Sequence, residues 1–243
     1  MRPVAGSITK FPENLPPNHM TAELKEALLN KPVTFAVLGP VGVGKSTFSE
    51  VLGSELGIPV VEEKYMNNPH LIPFYENPSK YSFLSQMTFL YNTTGQLVER
   101  GWEIKQKSVL IDAGNEMNLL YAKTHLAIGW MTKAQFRVYE DDFDALHSMS
   151  IIKRPDIFFC LDAELPVLTR RIRKRIETKK EERSFEEKIL SEYPYYLSEL
   201  RFQVGQFRNG SKNAIYVDAN NDNFIDKIHI DGLMEKIKRN LWE

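Results

Sequence analysis

One cysteine, Cys160, is all the thiol chemistry in this chain of 243 residues, so an intramolecular disulfide is excluded. It stands in the apolar run Ile157-Phe-Phe-Cys-Leu161, which reads as core, and a chain without disulfides suits a reducing compartment. An excess of either charge is also lacking: 31 basic side chains face 32 acidic ones, for a formal net charge of −1. That balance leaves no electrostatic footprint for nucleic acid or a membrane surface. No stretch approaches the roughly 20 apolar residues of a membrane span. The opening residues lack the apolar core of a secretory signal. The five histidines, His19, His70, His125, His147 and His229, show no metal-ligand spacing, so no structural metal is expected. The expectation is a cytoplasmic protein, or a mitochondrial one if the arm over residues 1–20, with Pro3, Pro12, Pro16 and Pro17, is a targeting remnant.

What the chain does have is Gly39-Pro-Val-Gly-Val-Gly-Lys-Ser-Thr47, a complete phosphate-binding P-loop. Gly39, Gly42 and Gly44 let the backbone wrap closely around a triphosphate and turn successive N–H groups toward its oxygens. Lys45 is placed to reach the β- and γ-phosphates, the Ser46 hydroxyl to hold Mg²⁺, and Thr47 completes the loop. The helix that starts here directs its positive end at the same anion. Context supports the motif, because Val33-Thr-Phe-Ala-Val-Leu38 reads as a buried parallel strand and an amphipathic stretch, 46–56, follows. ATP with Mg²⁺ is the expected ligand.

Further strands are expected over 58–62, 108–112, 156–161 and 214–218. Helices are expected over 83–105, 117–130, 133–149, 166–180 and 185–207, with a short one over 21–29. Alternating strands and helices call for an α/β protein of the P-loop NTPase fold: a five-stranded parallel sheet flanked by helices. The expected organisation is an N-terminal extension, 1–31, and one kinase domain, 32–243. Ligands gather at the carboxyl ends of such strands. There the second strand delivers Glu62 and Glu63, and the third delivers Asp112, into the crevice that holds the P-loop.

The base-reading N/T-K-x-D segment of GTPases is missing, and the third strand ends Asp112-Ala113-Gly114 rather than in paired acids. A small-molecule kinase is the class that remains. Its acceptor is expected over 62–107, where Arg100 is the only arginine. Nucleotide kinases need arginines there for the acceptor phosphate. This segment instead holds Tyr65, Phe74, Tyr75, Tyr81, Phe83, Phe89 and Tyr91, at least half of which are expected in the core. An uncharged, stacking pocket suits a neutral nucleoside.

From Val33 to Asp218 the chain resembles the deoxynucleoside kinases. The resemblance rests on the P-loop, the acid after the second strand, a Gln-bearing aromatic helix, Pro155-Asp-Ile-Phe-Phe-Cys-Leu-Asp162, and Arg171-Ile-Arg-Lys-Arg175. It implies Glu63 as general base for a 5′-hydroxyl, with Glu62 as the alternative because the family's Glu-Pro-Val proline is absent. It further implies Gln86 on the base edge beside Tyr65, Asp112 with Ser46 on the metal, and Arg171 and Arg175 of an Arg-rich helical lid on the phosphates. Lys45 and Arg171 would stabilise the transferring group, and homodimers are implied as well. The apolar stripe Leu119, Leu120, Leu126, Ile128 and Trp130 reads equally as a subunit interface or as core.

One departure stands out. The family ends its third strand in Asp/Glu-Arg-Ser, and here Ala113 replaces the arginine. An arginine on a transferring phosphoryl group can be worth about 10³–10⁵ in rate. Arg173, Arg183 and Lys64 are the candidate substitutes. Two other readings stay open: a kinase-like nucleotide-binding subunit without transfer activity, and a kinase for a nucleotide or another small alcohol.

Overall fold

The short β-branched and apolar runs each form one strand of a single sheet. The computed structural model describes residues 19–62, 67–178, 184–223 and 225–242. Its strands are β1 (Thr34–Leu38), β2 (Val60–Val61), β3 (Val109–Asp112), β4 (Ile157–Asp162) and β5 (Ala214–Asp218), all parallel, in the order β2-β3-β1-β4-β5. This is the expected α/β architecture. β1 lies at the centre and is buried at every position. Its neighbours β3 and β4 lie on opposite sides, so the chain direction across the sheet reverses at β1, and a crevice opens beyond its carboxyl end.

The period of two along β1 divides the core. Phe35 and Val37 pack with Leu24 and Leu28 of α1 (His19–Asn30), Leu52 of α2 (Lys45–Leu56) and Met234 of α11 (Lys227–Trp242). Ala36 and Leu38 face the other way, toward Met117 of α6 (Gly114–Ala127) and Leu200 of α10 (Tyr196–Gly210). Burial pushes the Cys160 thiol, on this second face, up to about 12, which makes it an inert core group. Although α1 belongs to the segment read as an extension, it is tied into the sheet. Ser108 Oγ donates to Leu28 O at 2.9 Å and accepts from Val33 N at 3.0 Å.

The remaining helices are α3 (Leu71–Glu76), α4 (Pro78–Glu99), α5 (Gly101–Gln106), α7 (Lys133–Ser148), α8 (Leu165–Thr178) and α9 (Ser184–Ser191). The stretch 83–105 is therefore two helices. The first begins earlier than its apolar pattern, because Asn77 accepts from Lys80 N and Pro78 occupies the first turn, where no N–H is needed. It ends at Arg100, just before Gly101. The stretch 185–207 divides at Pro194, which lacks an N–H for a continuous helix. Neither α3 nor α11 was expected. The start of α7 matches its pattern through a capping box between Thr132 and Gln135.

The stripe with two readings contributes to the core of the single chain, though Leu120 is its one buried member and Leu126 is half-buried. Leu120 is buried, and Leu119, Ile128 and Trp130 pack against buried clusters. A different apolar row is exposed: Leu84, Tyr91 and Val98, spaced by seven along α4, continued by Trp102 of α5. No helix among the described residues is long and apolar enough to cross a membrane.

Candidate active site

The P-loop leaves β1 into a space that only glycine fits. A β-carbon at Gly39 would lie 2.9 Å from Leu161 O of β4, and one at Gly42 would lie 2.8 Å from Ile172 Cγ1 of α8. Gly42 and Gly44 also take positive φ, 83° and 103°, and Gly44 caps the start of α2. The loop is thus wedged between β4 and α8, with Ser46 and Thr47 exposed in the first turn of α2. Lys45 Nζ lies back across the loop and donates to Gly39 O at 3.0 Å and Pro40 O at 3.5 Å.

Arg171 reaches the P-loop from α8. Its Nη1 donates to Val43 O at 3.2 Å, while Nε and Nη2 bond Asp222 Oδ1 and Asn221 O, each at 3.0 Å. Arg175 lies one turn on, with Nη2 2.7 Å from Glu186 Oε1 of α9. The two arginines are therefore not equivalent: Arg171 contacts the phosphate loop, and Arg175 joins the helices on either side of 179–183. Arg173 is exposed on α8, and Arg183 lies outside the described residues.

On the other side of β1, register sets Asp112 beside Val37, two residues before the loop. Only 8 % of Asp112 is exposed, yet its Oδ1 has no hydrogen-bond partner among the described residues. A buried carboxylate oxygen without a donor costs about 1–3 kcal/mol or more, and a cation offsets that cost. The residues present therefore fit a magnesium–triphosphate: a loop that only glycines allow, an exposed Ser46 hydroxyl, and an unpaired Asp112 oxygen. Ala113, where the family has arginine, is fully buried with φ 71° and ψ −72°, a sparsely populated conformation. It turns the chain sharply from β3 into α6.

Asp112 and Gly114 line one crevice with Val61, Glu62, Thr93 and Gln96. Glu62 is exposed at this crevice, whereas Glu63, Lys64 and Tyr65 lie outside the described residues. Gln86 is buried on α4, with Oε1 unpartnered among the described residues. Around it, α4 and α6 run antiparallel through a ladder of polar pairs. Ser82 Oγ is 2.8 Å from His125 Nδ1, Asn118 Nδ2 donates to Thr93 Oγ1 at 3.0 Å, and Asn115 Nδ2 donates to Thr94 Oγ1 at 2.9 Å. Full burial pushes the His125 imidazole down to about 3, so it is neutral in this ladder.

The aromatics of the acceptor segment divide. Phe74 is buried against His125, Trp130 and Phe185, and Tyr75 stacks on Phe185 at 4.7 Å. Phe83 packs against a buried cluster, while Tyr91 is exposed and donates to Asp142 at 2.7 Å.

Sequence reasoning passed over Thr93, Gln96, Asn115 and Asn118, and also Asp222. The first four carried a signal: polar residues at helix positions that face a buried neighbour. Asp222 carried less, an Asn/Asp-rich stretch after β5.

A parallel sheet with this loop and carboxylate at its switch point, under an arginine-bearing helix, defines a P-loop phosphotransferase. A family model described as Deoxynucleoside kinase matches residues 35–241. The chain belongs to the deoxynucleoside kinase family. It is 27 % identical over 203 residues to "Deoxyguanosine kinase" of Bacillus subtilis (strain 168), covering 81 % of this chain and 91 % of that protein. It is 30 % identical over 156 residues to "Deoxyadenosine/deoxycytidine kinase" of the same organism, covering 63 % of this chain and 70 % of that protein. Among solved structures, deoxyadenosine kinase from M. mycoides with bound dCTP has the same fold. Its TM-score is 0.65 at 21 % identity, over 85 % of this chain and 99 % of that one.

The wedge makes a direct prediction. Gly42→Ala places a methyl against Ile172 and in a strained φ. ATP affinity measured by calorimetry should fall at least tenfold, since roughly 1.4 kcal/mol of strain suffices. Unchanged affinity would show that the loop and α8 are not packed this closely in solution.

Proposed function

We propose that this chain transfers the γ-phosphoryl of ATP to the 5′-hydroxyl of a deoxynucleoside. The observation that carries this reading is the pairing of a P-loop that leaves no room for a β-carbon at Gly39 and Gly42 with an unpartnered Asp112 oxygen. Asp112 lines the crevice that Glu62 also lines, and it pairs in register with Val37, two residues before the P-loop. Mg²⁺, which Ser46 and Asp112 would hold, would reduce the charge on the triphosphate. The rest falls to the chain's own groups. Ser46 and Asp112 hold the metal, and the amides of Gly42 and Gly44 with Lys45 stabilise charge on the phosphoryl oxygens. Lys45 does so by exchanging its loop carbonyls for phosphate. Glu63 takes the hydroxyl proton, with Glu62 as the alternative base.

Ala113 is too enclosed to be replaced locally by a cation, so the missing arginine has to be made good from the lid. Arg171 is the lid arginine that contacts the P-loop, and we assign it that role, with Arg175 engaging the phosphates after leaving Glu186. Gln86 and Tyr65 hold the base. The names of the two Bacillus relatives, covering guanine, adenine and cytosine nucleosides, favour a base with an exocyclic amine, which Gln86 Oε1 can accept. One observation favours a second reading, a nucleotide-binding subunit without transfer: the buried, strained Ala113 itself.

The exposed row Leu84, Tyr91, Val98 and Trp102 supports a homodimer formed through α4 and α5.

Assayed with ATP-Mg²⁺ and the four deoxynucleosides, Glu63→Gln should lose about 10²–10⁴ in kcat with little change in the KM for ATP. A loss seen instead in Glu62→Gln would move the base by one residue. Lys45→Ala should abolish transfer, and no transfer by the wild-type chain with ATP still bound would establish the second reading. Val98→Glu with Trp102→Glu should convert dimer to monomer in sedimentation analysis. A wild-type chain that sediments as a monomer would remove the dimer proposal.

A further inference from the structure

The connection from β5 to α11 begins Asp218-Ala-Asn-Asn-Asp-Asn223 and is shaped by its own side chains. Asp218 Oδ1 accepts from Asn220 N at 3.0 Å and from Asn220 Nδ2 at 2.7 Å, and Asn221 Oδ1 accepts from Asn223 N at 3.0 Å. These are Asx turns, in which a short side chain replaces a backbone acceptor and fixes the local path. Asn220 Oδ1 also accepts from Glu164 N at 2.7 Å, which ties the connection to the residue before α8.

This scaffold presents Asp222 to two arginines of α8. Oδ1 accepts from Arg171 Nε at 3.0 Å, and both oxygens accept from Arg170 Nη2, at 3.0 and 3.1 Å. The Arg171 hydrogen bond, which outweighs the smaller contribution of Arg170, holds the Asp222 carboxyl below the usual carboxylate range, so it is charged at neutral pH. The side chain of Asp222 is 63 % exposed and that of Arg171 only 17 %. A pair with one partner so open contributes little to stability. Its consequence is geometric. With Nε on Asp222 and Nη2 on Asn221 O, the guanidinium plane is fixed, and that plane brings Nη1 to Val43 O inside the P-loop. One carboxylate between two guanidiniums also leaves a net positive charge beside the phosphate loop.

We propose that Asp222 is a positioning residue for the phosphate donor, setting Arg171 against the P-loop and thereby linking the β5–α11 connection to triphosphate binding. This rests on the kinase reading for its ligand. It predicts an effect on the donor and none on the acceptor, and it predicts that Asp222 acts only through Arg171.

The test is a double-mutant cycle on ATP-Mg²⁺ binding, read by calorimetry on the full chain: wild type, Asp222→Asn, Arg171→Ala and both together. Asp222→Asn should raise the Kd for ATP about tenfold, the worth of one charge-assisted hydrogen bond. Arg171→Ala should weaken binding at least as much, and the double variant should bind as Arg171→Ala does. Thermal midpoints and the KM for the deoxynucleoside should stay at wild-type values. Unchanged or tighter ATP binding by Asp222→Asn would overturn the inference. So would losses that multiply in the double variant, or a lowered thermal midpoint that accounts for the loss. Because the readout is binding, a wild-type chain that binds ATP but transfers nothing would overturn the kinase reading and leave the cycle to be judged on its own result. A wild-type chain that binds no ATP would overturn both.

Discussion

The close approach of the phosphate loop to β4 and α8 is the contact on which the rest of the site depends. Gly39 and Gly42 leave no room for a β-carbon against Leu161 and Ile172, so the loop's path is set by packing before any ligand arrives. Ile172 is fully buried, and it lies next to Arg171 in the same turn of α8. Seating Ile172 against Gly42 therefore also brings Arg171 to Val43 O. Hydrophobic packing holds the helix, and the helix carries the cation. In this arrangement Arg171 is part of the P-loop's own surroundings.

The opposite wall is built differently. There the sheet ends at Asp112, and the chain turns through Ala113 and Gly114, both at φ 71°, into α6. Two positive-φ residues in succession are costly for alanine, and such strain persists only where the surroundings over-determine it. Here they do: Ala113 is enclosed, and α6 is fixed to α4 by side-chain pairs from Asn115, Asn118 and His125. The sharp turn follows directly on Asp112, whose Oδ1 has no hydrogen-bond partner among the described residues. The strain is sustained by packing, whereas the unpaired oxygen is a local cost that a bound cation would offset.

Much of this was legible in the sequence. The five strands and their parallel arrangement followed from short apolar runs separated by helical patterns, and the phosphate loop from its glycines. Those features are local: a glycine's freedom or a strand's period can be read from a few neighbouring residues. Splitting of the two long helices was less legible, although Pro194 and the Asn77-Pro78 cap were visible signals. The difference between Arg171 and Arg175 could not be read at all. Their spacing is one helical turn, yet their partners, Asp222 and Glu186, come from other elements and depend on tertiary packing. The same holds for the exposed apolar row. Leu119 to Trp130 and Leu84 to Trp102 are both apolar, and only packing distinguishes the row set against the core from the exposed one.

We propose that this chain, with alanine in place of the third-strand arginine, still transfers phosphate because Arg171 is held on the P-loop. The most direct measurement is single-turnover transfer from ATP-Mg²⁺ by the wild-type chain and by Arg171→Lys, with the product identified by mass and phosphorus resonance. On this basis the wild type yields a deoxynucleoside 5′-monophosphate. A fall of about 10²-fold or more is expected in the lysine variant, whose point charge cannot bridge Asp222, Asn221 and Val43 at once. Equal rates for the two proteins, or a phosphorylated product other than the 5′-monophosphate, would contradict the proposal.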